Sequence, residues 1–329
     1  MARTFGLLAI AALLVGAAIA SVMIGAKPLS PGEVLEALFS PADTANRAVV
    51  WDSRIPRTVT GIIVGAALGV CGALIQAYTR NPLADPGILG VNAGATFAIT
   101  IAIGALGIGS PLGFVWFALG GALIATVGVY LVAAAGRLGP TPEKLTLAGV
   151  AVAAVLGGMS TILQIKNPET FAGTLNWGVG SIGARSLELV ASLSPLIVVG
   201  LIIAFLLARP LNAFALGDDL GRSLGVKVGT VRIGTIAAIT LLAGTATAIA
   251  GPIAFVGLMV PHAVRWFTGP DQRWIIPYSM FGAGVLLLVS DIIGRVVLPS
   301  GELQVGLVTA FIGAPVLVLI ARQSRAVGL

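Results

Sequence analysis

The stretches LIVVGLIIAFLLA (residues 196–208), LGDDLGRSLGVKVG (216–229) and IAAITLLAGTATAIA (236–250) decide the fold class between them. The outer two are apolar. The middle one puts Asp218, Asp219, Arg222 and Lys227 within ten residues. With their flanks (188–208 and 232–250), the apolar runs are each long enough to cross a hydrocarbon core about 30 Å thick as a helix. A charged island between two such runs is a loop between two membrane spans.

The rest of the chain repeats this pattern. It has 329 residues, 57% hydrophobic and only 10% charged, with mean hydropathy +1.04. A soluble domain would carry roughly a quarter charged residues. The alternating segments of a membrane β-barrel are absent. We therefore expect an all-α polytopic membrane protein forming one transmembrane domain over 1–329, which the resemblance given below makes a permease domain. Ten spans are expected, at 5–25, 58–78, 87–106, 112–135, 145–165, 188–208, 232–250, 252–266, 275–297 and 304–321. The eighth carries Pro252 and Pro261 and is expected to be broken or tilted, its freed backbone groups met by neighbouring helices. The start of the chain can pass for a signal peptide, but its apolar stretch is long and Arg3 is its one basic leader residue, so it reads as an uncleaved first span. Residues 168–186 are too polar to span and read as a surface helix or re-entrant turn.

Ten spans put both termini on one side. If that side is the cytoplasm, twelve basic and five acidic residues face inward, against seven basic and eight acidic residues outward. The Lys/Arg bias therefore makes both termini of a multi-pass membrane protein cytoplasmic; the resemblance given below implies that the membrane is the bacterial inner membrane. All five tryptophans (51, 116, 177, 266 and 274) fall at span ends, as interfacial anchoring requires. The pI near 10.1 then reports membrane topology and contact with lipid, with no nucleic-acid partner.

Catalysis has no visible apparatus. Apart from Asp291 and Arg295, toward the outer end of the ninth span, the span middles lack Asp, Glu, Lys, Arg and His. That depletion argues against a proton relay, although Gln76, Asn92 and Gln164 could line a path. His262 is the one histidine and has no partner nearby in sequence, so a structural hydrogen bond is its expected role. Cys71 is the one cysteine, read as a small buried residue. No metal ligand set, catalytic residue or HExxH motif is present, and none of the four lysines follows glycine as a phosphate-binding loop requires. If ATP drives this protein, ATP and Mg bind another chain, and no cofactor is expected on this one. Gly61, Gly65 and Gly69 share one helix face, a pattern of close helix packing.

In the island, Leu216, Leu220 and Leu224 recur every fourth residue, on one face of a short helix. Asp218 and Asp219 sit at its start, where the helix dipole favours acids. Asp218 can pair with Arg222, and Gly225 can end the helix in a left-handed conformation. Such a leucine stripe can lie in a partner's groove. It can equally lie on the membrane or on its own bundle.

Several stretches together carry a resemblance: 54–95 (RIPRTVTGIIVGAALGVCGALIQAYTRNPLADPGILGVNAGA), LTLAGVAV (145–152), LGDDLGRSLGV (216–226), GPIAFVGLMVPHAVR (251–265) and GAPVLVLIAR (313–322). The chain resembles FecCD-type permease subunits of iron-siderophore, haem and cobalamin ABC importers. The resemblance implies ten spans, with spans 2–5 and 7–10 related by inverted pseudo-symmetry. It implies a second permease copy (identical or not), two ABC ATPase subunits below and an extracytoplasmic substrate-binding protein above. It makes 211–229 a cytoplasmic coupling loop in which Leu216, Asp218, Asp219, Leu220, Arg222, Ser223, Leu224 and Gly225 meet the ATPase. It matches Arg54, Arg57 and Arg295 to arginines that dock the binding protein. A cytoplasmic gate falls near Pro142 and Glu143 in GPTPEK (139–144), where cobalamin members carry small hydroxyl residues instead. The implied cargo is a metal chelate: ferric siderophore first, then haem, then cobalamin. The competing class is a secondary transporter built from inverted repeats, which would work without an ATPase.

Overall fold

The computed structural model describes residues 2–40, 44–135 and 141–326, and its regular structure is helical, with no strand among the described residues. In chain order the helices are α1 (Ala2–Met23), α2 (Pro31–Phe39), α3 (Ala45–Ala48), α4 (Ile55–Thr79), α5 (Val91–Gly104), α6 (Pro111–Ala134), α7 (Pro142–Lys166), α8 (Pro168–Gly178), α9 (Leu187–Phe214), α10 (Asp218–Ser223), α11 (Val228–Ala250), α12 (Val256–Thr268), α13 (Gln272–Val296) and α14 (Val305–Ala326). A π-helical turn, Val49–Arg54, leads into α4. Helix starts follow capping chemistry. Ser110, Thr141 and Ser186 each accept a backbone N–H in the first turn of α6, α7 and α9, and proline opens α6, α7 and α8.

Seven helices, α1, α4, α6, α7, α9, α11 and α13, are long and apolar enough to cross a membrane. Each falls on an expected span. The other three expected spans fall on α5, α12 and α14. With 14 and 13 residues, α5 and α12 reach only about 20 Å at 1.5 Å per residue, short of the hydrocarbon thickness. The polar stretch 168–186 forms the surface helix α8 and then a turn.

Helices α4 and α13 form the packed centre, and the glycine ladder is the reason. A Cβ on Gly65 would stand 2.7 Å from Gly284 Cα, and one on Gly69 would stand 2.2 Å from the Ser279 carbonyl. The small face on α4 therefore serves backbone approach. One turn further on, a Cβ on Gly72 would stand 1.8 Å from the carbonyl oxygen of Gly257 in α12.

The half-helices α5 and α12 explain two departures from the sequence expectation. The third span, expected from 87, becomes α-helical only at Val91, after a short 3₁₀ turn (Pro86–Leu89). The eighth begins at Val256, after an irregular 251–255 in which Phe255 takes φ +69°. Both breaks re-enter the bundle, and a Cβ on Gly257 would lie 3.4 Å from Pro86 Cδ. Asp85, expected in a cytoplasmic loop, is instead embedded here. Its carboxylate accepts the Gly87 N–H at 2.8 Å, and beside it the Thr247 hydroxyl donates to Asn92 Oδ1 at 3.1 Å. The three polar side chains line a cavity of about 10 Å³, on the scale of one water. Asp85 is half-buried there.

The inverted repeat is visible in these elements. Helices α4 to α7 have 25, 14, 24 and 25 residues, and α11 to α14 have 23, 13, 25 and 22. α4 and α11 run in opposite directions: Gly61 near the start of α4 meets Ile182, beside the Ser181–Ala250 bond at the end of α11, and Cys71 further along α4 meets the Ile239 carbonyl further back along α11. Gly149 of α7 abuts the Ile88 carbonyl three residues before α5, and Gly313 of α14 abuts Phe255 immediately before α12.

Candidate functional site

Two ends of the bundle carry the candidate residues. At the island end, α10 is a six-residue helix packed against α9 and α11. Leu216, Leu220 and Leu224 are 60%, 49% and 59% exposed, so the stripe faces away from the bundle. Gly225 takes φ +82° and its N–H bonds the Arg222 carbonyl, ending the helix as expected. Arg222 Nη1 bonds Asp219 Oδ1 at 3.1 Å, three residues back, while the expected pair with Asp218 falls on a side chain outside the described residues. Ser223 Oγ donates to the Leu220 carbonyl at 2.8 Å.

The foot of this helix is fixed to three others. Arg80, closing α4 at φ +53°, donates from Nε and Nη2 to the Phe214 carbonyl at 3.2 and 2.8 Å, with its guanidinium 4.7 Å over the Phe214 ring. Tyr78 stacks on that ring, centroids 5.7 Å apart. Asn212 of α9 donates to Asp271 at 2.6 Å and accepts the Gln272 N–H at 2.8 Å, binding α9 to the start of α13. Hydrogen bonds from Arg273 and Asn212 lower the Asp271 pKa to about 2, so this junction carries a fixed negative charge at neutral pH. The end of α9, which leads into α10, is therefore tied to α4 and α13 by polar contacts.

At the opposite end α4 and α13 meet again, through charge. Asp291, fully buried, takes the Arg57 Nε and Nη2 donors at 2.9 and 2.8 Å on one oxygen. Its other oxygen takes Arg295 Nε at 2.8 Å and Arg295 Nη2. Arg57 Nη1 also bonds Glu302 at 2.5 Å. Arg295 Nη1 reaches the carbonyls of Ser21 and Ile24 at 2.7 and 3.0 Å. Arg54 donates to the carbonyls of Val22, Met23 and Lys27 at 2.6–2.8 Å. All three arginines matched to docking are therefore buried and hold α1, α4 and α13 together, and Arg295 and Asp291, one helical turn apart, pair as part of that cluster.

Beside the cluster a cavity of about 500 Å³ opens among Asp52, Arg57, Ser181, Arg185, Glu302 and Gln304. Arg185 was not singled out in the sequence. It follows Ala184, which adopts φ +53°, a costly conformation for a residue with a Cβ. Burial lowers its pKa.

The remaining candidates are placed more simply. Pro142 and Glu143 form the first turn of α7, capped by Thr141, while Gly139 and Pro140 of the gate stretch lie outside the described residues. His262 packs edge-on against Trp266 with centroids 5.7 Å apart and has the expected hydrogen bond, to the Pro82 backbone, while its buried Nδ1 has no partner among the described residues. Cys71 is fully buried. No three His, Cys, Asp or Glu converge among the described residues.

A bundle with a leucine-striped polar loop at one end, a charged cluster at the other and an inverted repeat between them matches the FecCD transport family model over residues 13–323. The chain belongs to the FecCD transport family. It is a multi-pass membrane permease. Among curated relatives, it is 46% identical to the ferric enterobactin transport system permease protein FepD of Escherichia coli (strain K12), over 94% of this chain and 93% of that one. It is 40% identical to the probable siderophore transport system permease protein YfiZ of Bacillus subtilis (strain 168), again over 94% and 93%. A solved inward-facing conformation ascribed to a metal-chelate type ABC transporter superposes with TM-score 0.84 at 27% identity, covering 96% of this chain and 98% of that one.

Proposed function

We propose that this chain is the membrane-spanning subunit of an ABC importer that carries a ferric siderophore across the cytoplasmic membrane, with haem and cobalamin as the next cargoes. It has no catalytic site of its own. The observation that carries the reading is the full-length likeness to permeases named for ferric enterobactin and siderophore transport, joined to an exposed leucine stripe on a polar loop of an otherwise apolar chain. A second permease copy, identical or not, completes the pathway. Two ABC ATPases bind ATP and Mg and receive α10 in a cleft. An extracytoplasmic binding protein delivers the chelate to the Arg57 end. Both termini and the island face the cytoplasm.

Coupling follows from the two helices shared by both ends. ATP binding closes the ATPases and displaces α10. The Arg80–Phe214 and Asn212–Asp271 contacts pass that displacement to α4 and α13. These run to the Arg57–Asp291–Arg295 cluster, so the two ends switch together between states open to one side or the other. The test is reconstitution of the chain in lipid vesicles with an ABC ATPase and a chelate-loaded binding protein. ATP-dependent uptake of ferric siderophore supports the reading, and uptake by the chain alone on an ion gradient refutes it.

A further inference from the structure

Helix α6 crosses the membrane with most of its surface uncovered. Only 33% of its most apolar stretch is buried, and Trp116 and Ile124 are 58% and 74% exposed. Part of that surface is a groove. α5 and α6 touch backbone to backbone where Gly94 and Gly121 cross. A Cβ on Gly94 would stand 2.2 Å from the Gly121 carbonyl, and one on Gly121 would stand 2.3 Å from the Gly94 carbonyl. Contact that close between small residues leaves a floor without side chains, bordered by the larger side chains of both helices. Along the same groove, Gly120 and Gly128 have nothing within 4 Å of the place a Cβ would take. Phe97 and Ile101 of α5, Trp116 and Ile124 of α6 and Leu156 of α7 line the rest of a space of about 620 Å³.

We infer that this groove seats an acyl chain of a membrane phospholipid, held as part of the folded protein instead of exchanging freely with the bilayer. Three observations select that occupant. Every lining residue except Trp116 lacks a hydrogen-bonding side chain, which suits hydrocarbon and would leave a charged chelate unsatisfied. From Trp116 to Gly128 the groove follows α6 for about 18 Å at 1.5 Å per residue, against about 15 Å for the hydrocarbon of one leaflet. Trp116 stands at its mouth, near the start of α6, where an indole meets the headgroup level. Lipid tails are as apolar as leucine, so no hydrophobic gain drives the chain in. The gain is the dispersion contact that a bare floor otherwise forfeits. A seated chain touches α5, α6 and α7 at once, and so braces the half-helix against the helix that begins at Pro142. The orientation proposed above makes this the outer leaflet, but occupancy does not depend on it.

The experiment uses the full-length protein, with any subunits that accompany it, extracted from its membrane in detergent, washed in the same detergent and weighed by native mass spectrometry. The wild type is expected to keep a phospholipid adduct through the wash. Gly120→Leu and Gly128→Leu each put a side chain into the open groove and are expected to lose it. Gly16→Leu adds the same bulk to α1, at a glycine that also has nothing within 4 Å, and is expected to keep it. A monodisperse chromatographic peak reports folding. Add-back provides a second test that needs no variant: once a harsher wash has stripped the wild type, long-chain phosphatidylethanolamine should restore the adduct and its short-chain analogue should not. A wild type that loses all lipid in the first wash overturns the inference. So does an adduct that persists in both groove variants. Equal restoration by the short-chain lipid overturns it too, because the headgroup would then hold the lipid. Displacement of the adduct by ferric siderophore would assign the groove to cargo. Groove variants that keep the adduct but dissociate a second copy would assign it to pairing. Both results contradict the inference, and the importer reading can fail without altering any of them.

Discussion

Replacing Asp291 by asparagine is the most informative single change in the bundle. Asp291 is fully buried and answers two guanidinia through four contacts, those of Arg57 and Arg295. Asparagine keeps the shape but offers one acceptor oxygen and one NH₂ donor that points at another donor. The local charge of Arg57, Arg295, Asp291 and Glu302 changes from balanced to one uncompensated positive charge in a water-poor site. Removing one partner of a buried ion pair costs about 3–5 kcal/mol. At the per-residue entropies of large domains, that corresponds to a drop on the order of 5–10 °C in Tm. The assay is thermal loss of the monodisperse chromatographic peak in detergent, with Glu302→Gln as comparison. Glu302 is partly exposed and, among the described residues, forms an ion pair only with Arg57, so its loss should move Tm by no more than about 2 °C, on the scale of an exposed ion pair. Asp291→Asn melting within about 2 °C of wild type, on the scale of an exposed pair, would refute the claim that this carboxylate holds α1, α4 and α13 together.

Two further changes test other links. Leu220→Asp puts a charge in the centre of the exposed stripe, so it should abolish ATPase copurification and uptake while membrane insertion stays normal; normal copurification would contradict docking through α10. Gly72→Ala forces a Cβ to 1.8 Å from the Gly257 carbonyl, so α4 and α12 must separate. Overpacking of this kind costs about 1–3 kcal/mol or more, read as a lower Tm than that of Gly120→Ala, whose Cβ meets open space.

The spans and the island were legible because they rest on local pattern. Twenty apolar residues, a leucine every fourth position and a glycine after the last turn need no knowledge of the rest of the chain. The half-helices were only partly legible. Pro86 and Pro252 announce breaks, but no local rule says that a break re-enters the bundle, so Asp85 reads as an ordinary loop acid. The charged cluster was legible only in its local half: the Arg295–Asp291 pair is one helical turn, whereas Arg57 and Asp291 are separated by 234 positions. The sequence alone therefore could not reveal that Arg54, Arg57 and Arg295 are buried. Arg185 stands in a polar, non-periodic stretch, and its partial burial is a property of its surroundings that appears only once α9, α11 and α14 are packed. The gate near Pro142 and Glu143 gains nothing from the start of α7 alone, since a gate is defined by what moves across a pathway between two permease copies.

The central claim is that this chain moves cargo only when a separate ATPase drives it through α10. The most direct test is uptake of a radiolabelled ferric siderophore into vesicles containing the purified chain, with the binding protein present, with and without the ATPase and ATP. The account predicts uptake that requires both ATPase and hydrolysable ATP and that is indifferent to proton or sodium gradients. Uptake by the chain without any ATPase, rising with an imposed ion gradient, would contradict it.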